Sequence, residues 1–281
     1  MTTVAFLCPY HADRVLVWEN GHAITYRHFL SDVAALADLL PEKSTVINLA
    51  DDRYCFLVGF AAALVRGQTT LVPPSRAPSA LGQLVRDYAT SYCLVDDAEE
   101  VEPLPSYQIP QSRWNPTCTA KVPQIPIDHP AVVAFTSGST GSPHSHSKTW
   151  GSLVTVARST GSRLELKASD PMTIVATVPH QHMYGLETSI MLPIQHGMAF
   201  HAGRPLFPED VRSALAEVPS PRILVTTPLH IRACVTAGSR LPHVECILSA
   251  TAPLARSLAR QAETSFQTSV YEVYGFTEAG S

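Results

Sequence analysis

From Ser44 onward, short β-branched runs alternate with longer segments of helical period, and that alternation confines the chain to βαβ units built around parallel sheets. Thr45 to Leu49 reads as a buried strand, Asp51 or Asp52 as an N-cap, and Tyr54 to Val65 as a mostly apolar helix closed by Arg66 and Gly67. A strand at Thr70 to Val72, a helix from Ser79 to Tyr88 and a strand at Tyr92 to Val95 follow. Ahead of them, Ala23 to Tyr26 and a helix from Phe29 to Leu40 fit a cover over that sheet.

Seven prolines between Pro103 and Pro130 interrupt the pattern. Proline cannot donate to a sheet ladder, so this stretch reads as a boundary or a long surface crossing. Beyond it the alternation resumes, with strands at Ala131 to Thr136, Thr173 to Val178, Met198 to His201, Arg222 to Thr226, Val244 to Ser249 and Ser269 to Val273. Helices fit at Thr149 to Arg163, Pro208 to Glu217, Pro228 to Ala237 and Pro253 to Thr264, three of them opening at or beside proline. The expected fold is α/β, with two stacked parallel-rich sheets flanked by helices. Residues 1–102 form a first subdomain, 103–130 the crossing and 131–281 a second subdomain.

Composition removes several classes of function. With 45% hydrophobic residues and 16% charged over 281 positions, the chain can bury a sizeable core. Twenty basic against 24 acidic residues leave a formal charge of −4, which gives no field to draw in a phosphate backbone or an anionic membrane. Neither nucleic acid nor membrane is an expected partner, and no apolar run approaches the roughly 18 to 20 residues that cross a bilayer. The six cysteines are scattered without a C-x-x-C pair, as reduced structural residues are, and Asp13, Arg14, Glu19 and Arg27 break up any secretory leader. Cytoplasm is the expected location.

The most informative segment is the apolar run Ala131 to Phe135, which empties into Thr136-Ser-Gly-Ser-Thr-Gly-Ser-Pro-His-Ser-His-Ser-Lys148-Thr149. Gly138 and Gly141 can take positive φ and turn backbone N–H groups inward as an anion nest, with Thr136, Ser137, Ser139 and Thr140 adding hydroxyls. The helix expected next would bring its N-terminus close. Walker spacing fails, because Pro143 stands five after Gly138 and Ser147 directly precedes Lys148. A flexible Ser/Gly surface loop is the plainer alternative.

Four more loops follow predicted strands. Val178-Pro-His-Gln-His-Met-Tyr-Gly-Leu186 offers two histidines without a third ligand at zinc spacing, so His182 reads either as a ligand-facing residue at a strand end or as a packed structural one. Ser269 to Glu278 ends a strand in Tyr274, Gly275, Thr277 and Glu278: a ring able to lie on a base, room for a ligand, and a hard oxygen donor suited to Mg²⁺. Thr226-Thr-Pro-Leu229 and Ser249-Ala-Thr-Ala-Pro-Leu254 complete five loops expected to open on one edge of one sheet.

In this order the segments resemble the adenylate-forming superfamily of acyl- and aryl-CoA synthetases, peptide-synthetase adenylation domains and luciferases. Thr136-Ser-Gly-Ser-Thr-Gly-x-Pro143 is similar to its phosphate loop, Tyr274-Gly-x-Thr-Glu278 to its Y-G-x-T-E motif, Pro179-x-x-His182-x-x-Gly185 to the loop that gates its acyl pocket, and Ala250-Thr-Ala-Pro253 to its G-G-A-P loop. The resemblance implies an acid–thiol ligase: ATP activates a carboxylic acid as an acyl-adenylate, and a thiol of coenzyme A or of a phosphopantetheine on an acyl-carrier protein then displaces AMP. It assigns the β- and γ-phosphates to Thr136, Ser137, Gly138, Ser139, Thr140 and Gly141, the α-phosphate to Thr277 and Mg²⁺ to Glu278. Adenine goes to Tyr274 and Gly275, with Ala250, Thr251 and Ala252 alongside. The small acid goes to His182, with Met183, Tyr184 and Gly185 shaping the pocket floor, and a hydroxybenzoate is the mildly preferred substrate.

Two departures stand out. His144 occupies the position of the family's lysine after the loop proline, and Lys148, at the start of the expected helix, is the nearest replacement. The family's ribose-binding aspartate, small β-barrel and C-terminal domain with its lysine would follow Ser281, so an N-terminal part impaired in adenylation is expected. The alternatives are a catalytically silent acyl- or aryl-binding relative, a subunit paired with a second polypeptide, and an unrelated phosphate-handling α/β enzyme.

Overall fold

The computed structural model describes residues 1–8, 11–73, 75–88, 91–97, 101–102, 104–110, 121–136, 144–166 and 172–275. Its elements begin with β1 (Thr3–Ala5), β2 (Val15–Glu19), β3 (His22–Thr25), α1 (Tyr26–Leu39), β4 (Thr45–Asn48) and α2 (Arg53–Val65). Then come β5 (Thr69–Val72), α3 (Pro78–Asp87), β6 (Tyr92–Val95), β7 (Ser106–Gln108), β8 (Gln124–Pro126), β9 (Pro130–Thr136), β10 (His144–Thr149) and α4 (Trp150–Arg163). β11 (Thr173–Ala176) leads into α5 (Met183–Leu186), a π-helical turn (Glu187–Met191) and α6 (Leu192–His196). The chain closes with β12 (Ala199–His201), α7 (Pro208–Glu217), β13 (Arg222–Thr226), α8 (Pro228–Thr236), β14 (Cys246–Ser249), α9 (Arg256–Phe266) and β15 (Ser269–Glu272).

Two compact units result, Met1–Asp13 with Thr25–Thr155 and Arg14–Ile24 with Val156–Ser281. The first holds a six-stranded sheet in the order β10-β9-β5-β4-β6-β7 and a β1-β8 pair. Asp52 caps α2 by accepting from the Cys55 N–H at 2.8 Å, and the run that follows is buried on every side from Arg53 to Leu64. Phe6 stacks on Trp150 at 5.2 Å and on Phe29 at 6.0 Å, with Phe60 against Trp150 at 6.5 Å, which makes an aromatic centre for this unit.

The division expected at the proline-rich crossing is not the one observed. β9 pairs in parallel with β5, so the chain beyond the crossing returns to the first sheet. Among the described residues of the crossing, β7 sits at the edge of this sheet and β8 pairs with β1.

The second unit is a seven-stranded sheet in the order β15-β14-β13-β11-β12-β2-β3, parallel from β15 through β2. Of the stretch expected as a cover over the first sheet, α1 packs against α2 in the first unit, whereas Ala23 to Thr25 belongs to β3 at the edge of this second sheet; β2 and β3 are joined at Asn20-Gly21, with φ of 49° and 77°, as a two-residue hairpin turn requires. Val175, Leu224 and Ile247 pack with Leu215, Ile231, Leu258 and Phe266 from α7, α8 and α9 into one apolar layer. α7 and α8 open on proline as expected, whereas α9 begins at Arg256 with Ala255 as its cap, three residues after Pro253.

Candidate functional site

A parallel sheet directs its strand ends, and the loops after them, to one edge. In the second unit that edge carries the loops after β11, β13, β14 and β15. The loop after Thr136 belongs to the other sheet, so four of the five expected loops share an edge, and the fifth leaves from β9.

Pro179, His182 and Gly185 keep their spacing for a steric reason. A Cβ on Gly185 would stand 1.9 Å from the Pro179 carbonyl oxygen, so only glycine lets α5 begin this close to the turn before it. His182 is the N-cap residue, in extended conformation, with its carbonyl accepting from the Leu186 N–H at 2.8 Å. Met183 and Gly185 are buried, and the π-helical turn after them is buried throughout.

Across the edge, the Thr177 and Thr226 hydroxyls share a hydrogen bond at 2.9 Å, and the Tyr184 hydroxyl donates toward the Leu248 oxygen at 3.0 Å and the Thr226 oxygen at 3.3 Å. Burial pushes the Tyr184 hydroxyl well above the usual tyrosine range, so it remains a donor. The loop after β14 follows at once. Ala250 is buried, Thr251 and Ala252 are exposed, and Thr251 takes φ of 78°, a left-handed conformation that a β-branched residue adopts only under constraint. The Val273 N–H donates to the Ser249 oxygen and the Leu254 N–H to Glu272 Oε1, both at 2.8 Å, tying this loop to β15. Tyr274 follows, 86% exposed, with exposed Gly275 beside it.

The electrostatics of the edge come from residues that sequence reasoning passed over. Arg204, in the segment after β12, lies within the field of both His182 and His230. Partial burial of each ring first, and the Arg204 guanidinium second, hold both imidazoles below the usual histidine range. His230 Nδ1 shares a hydrogen bond with Thr227 Oγ1 at 2.9 Å. The signal that could have found Arg204 and His230 is their position just past strands, the same one that singled out His182.

In the first unit, Thr136 ends β9, and the next described residues form a strand, where a loop leading to a helix was expected. Residues 144–149 form β10, antiparallel to β9, with His144 opposite Thr136 and Lys148 opposite Val132. The helix N-terminus expected beside the loop therefore stands a whole strand away, at Trp150. His144 and His146, expected as loop residues, and Lys148, expected at a helix start, are strand residues, and Lys148 is 8% exposed. A polar strand of this kind is tolerated because β10 is a sheet edge. Ser137, Gly138, Ser139, Thr140, Gly141, Thr277 and Glu278 lie outside the described residues.

The described residues place an exposed ring at Tyr274, a glycine beside it and the constrained loop of Thr251 on one edge. Ser249 Oγ, buried beneath that loop, has no hydrogen-bond partner among the described residues and is a donor available to a ligand or water. They do not assemble a metal site; no group of three or more His, Cys, Asp or Glu capable of holding an ion occurs among them. No helix among them is long and apolar enough to cross a membrane.

The family model for AMP-binding enzymes matches residues 8–281. A 4-coumarate–CoA ligase of Halorhodospira halophila is 31% identical over 154 residues, 54% of this chain and 37% of that protein. Among solved structures, o-succinylbenzoate CoA synthetase (MenE) of Bacillus subtilis, in complex with the acyl-adenylate intermediate, has a TM-score of 0.79 at 18% identity, covering 99% of this chain and 60% of that one. A malonyl-CoA ligase with methylmalonyl-CoA and AMP bound has a TM-score of 0.80 at 20% identity, covering 97% and 60%. The chain thus spans 37 to 60% of the length of these relatives, and the fold they share is an α/β fold with parallel-rich sheets flanked by helices. With a family model matched over nearly its whole length, the chain belongs to the AMP-binding enzyme family.

Proposed function

We propose that this chain binds ATP and a small carboxylic acid and activates the acid as an acyl-adenylate, ahead of transfer to the thiol of coenzyme A or of a carrier-protein phosphopantetheine. The observation that carries the reading is the shared edge: Pro179 to Gly185, Ala250 to Pro253, and Tyr274 with Gly275 all follow parallel strands of one sheet. In this reading Tyr274 covers the adenine face, Gly275 admits it, and Ala250, Thr251 and Ala252 line its side. His182, held neutral near pH 7, meets the acid without competing for its charge.

The loop from Thr136 through Ser137, Gly138, Ser139, Thr140 and Gly141 is assigned the β- and γ-phosphates, Thr277 the α-phosphate, Glu278 a Mg²⁺ ion and Lys148 added positive charge. ATP supplies the electrophilic phosphorus and Mg²⁺ neutralises phosphate charge. The protein's part is to align the carboxylate in line with that phosphorus and to hold donors where charge develops. The test is calorimetric titration of the chain with ATP and Mg²⁺, followed by pyrophosphate exchange against a panel of aromatic and aliphatic acids. Saturable heat is expected, with exchange weak and dependent on one class of acid; a flat ATP titration overturns the reading.

A further inference from the structure

The Tyr184 side chain rises from the first turn of α5, inside the segment assigned to the acid, yet its hydroxyl is directed to the backbone of the neighbouring strands. It reaches the Leu248 oxygen at 3.0 Å and the Thr226 oxygen at 3.3 Å, which lie at the carboxyl ends of β14 and β13. A phenol has one proton, and these two carbonyls share it. The end of β14 feeds the loop assigned to the adenine side, and the end of β13 is hydrogen-bonded to that loop. Leu248 stands two residues before Ala250 and three before Thr251, and the Thr226 oxygen also receives the Ala250 N–H at 3.4 Å.

Thr251 is the strained point of this edge, and strain of that kind persists only where the surroundings over-determine it. Two supports are visible. On the far side, Glu272 accepts the Leu254 N–H and the Ser249 oxygen accepts the Val273 N–H. On the near side, Tyr184 holds the strand end. Its own backbone is fixed in turn: the Thr188 hydroxyl donates to the Tyr184 oxygen at 2.5 Å, the Ser189 hydroxyl to the Gly185 oxygen at 2.6 Å, and Gly185 is locked against Pro179.

We infer that Tyr184 is a positioning residue for the nucleotide: its hydroxyl holds the ends of β13 and β14, and through them the loop bearing Thr251, and does not read the acid. This rests on the proposed function for its ligand, though not for its mechanics.

The experiment compares wild type, Tyr184→Phe and Tyr92→Phe in the full chain. Tyr92→Phe removes a buried phenol hydrogen bond, to Gln68 Oε1 at 2.7 Å, in the first unit, so it stands for a merely structural loss. Amide exchange without ligand is read at Ala250 and Leu254, and ATP binding by calorimetry well below the melting temperature. Tyr184→Phe is expected to speed exchange at both amides and to weaken ATP roughly 3- to 10-fold, as one lost net hydrogen bond implies, while Tyr92→Phe does neither. Unchanged exchange in Tyr184→Phe, or equal changes in both variants, overturns the inference whatever ATP does. If wild type fails to bind ATP while the exchange result holds, the proposed function falls and the bracing of the loop survives. A third arm measures benzoate and 4-hydroxybenzoate as stabilisers of the ATP-bound chain. Loss of the hydroxylated acid alone in Tyr184→Phe would assign the phenol to the acid and overturn the inference.

Discussion

The Leu254 N–H donates to Glu272 Oε1 at 2.8 Å, so a side chain of β15 holds the far end of the loop that follows β14. Eighteen residues separate the two positions, and the bond joins the loop of Ala250 to Pro253 to the strand that delivers Tyr274. Glu272→Ala removes the acceptor, whereas Glu272→Gln keeps an oxygen in the same place. The alanine variant is expected to weaken ATP by a few-fold, in line with about 0.5 to 1.5 kcal/mol for a net hydrogen bond, and the glutamine variant to stay within about twofold of wild type. Titration calorimetry on the three proteins decides it, and equal affinities for all three would remove Glu272 from the support of this loop.

Gly185→Ala places a methyl 1.9 Å from the Pro179 oxygen, and backbone on both sides leaves nothing flexible to yield. Overpacking of this kind costs about 1 to 3 kcal/mol or more, and here it also displaces the N-cap that carries His182. Gly21 supplies the contrast. Its φ is 77° but no atom lies within 4 Å of a built Cβ, so Gly21→Ala meets conformational strain alone. Denaturant unfolding is expected to show the larger loss at Gly185, with acid binding lost alongside it. A Gly185→Ala protein as stable as wild type would mean that the turn has room to open.

Much of this architecture was legible in the residues. The Asp52 cap, the apolar run behind it and the strand at Tyr92 to Val95 follow from local chemistry, and the positions of four site loops follow from parallel strands ending where they do. β10 was not legible, because His-Ser-His-Ser-Lys-Thr carries no strand-like apolar alternation; it pairs because β9 offers it an edge. β2 had a local signal in Asn20-Gly21, but its pairing with β12 joins residues more than 180 positions apart, which no window reading can reach. Arg204 went unseen for the related reason that its effect on His182 and His230 exists only once β12, β11 and β13 lie side by side.

Those histidines set an acid limb for stability. Burial first and Arg204 second disfavour the charged forms of His182 and His230. For His196 burial again leads, with Arg158 adding to it and the Leu192 carbonyl opposing. Each therefore binds its proton less readily in the folded chain than in the unfolded one. The stability they contribute is complete above about pH 6.5, the ordinary histidine value, and is lost as pH falls through their lowered folded values. Arg204→Ala is expected to raise the titration points of His182 and His230 and leave His196 where it is. Proton NMR of the imidazole resonances between pH 5 and 8 reads all three, and unmoved values for the first pair would separate Arg204 from the site.

Cys93 and Cys246 report on the two sheets separately, since β6 belongs to the first and β14 to the second. Both side chains are buried, and burial pushes each thiol up to about 12, with Glu245 adding to the effect at Cys246. At pH 8 the reactive thiolate is then roughly one part in ten thousand, so alkylation must wait for the surrounding sheet to open. Cys8, half-buried outside both sheets, has no such shelter. Iodoacetamide labelling followed by peptide mass spectrometry is expected to modify Cys8 in the native protein, and Cys93 and Cys246 only as denaturant exposes them. Rapid native labelling at Cys93 would show the first sheet opening below global unfolding, and the same at Cys246 would place that opening in the sheet whose edge holds His182, Thr251 and Tyr274.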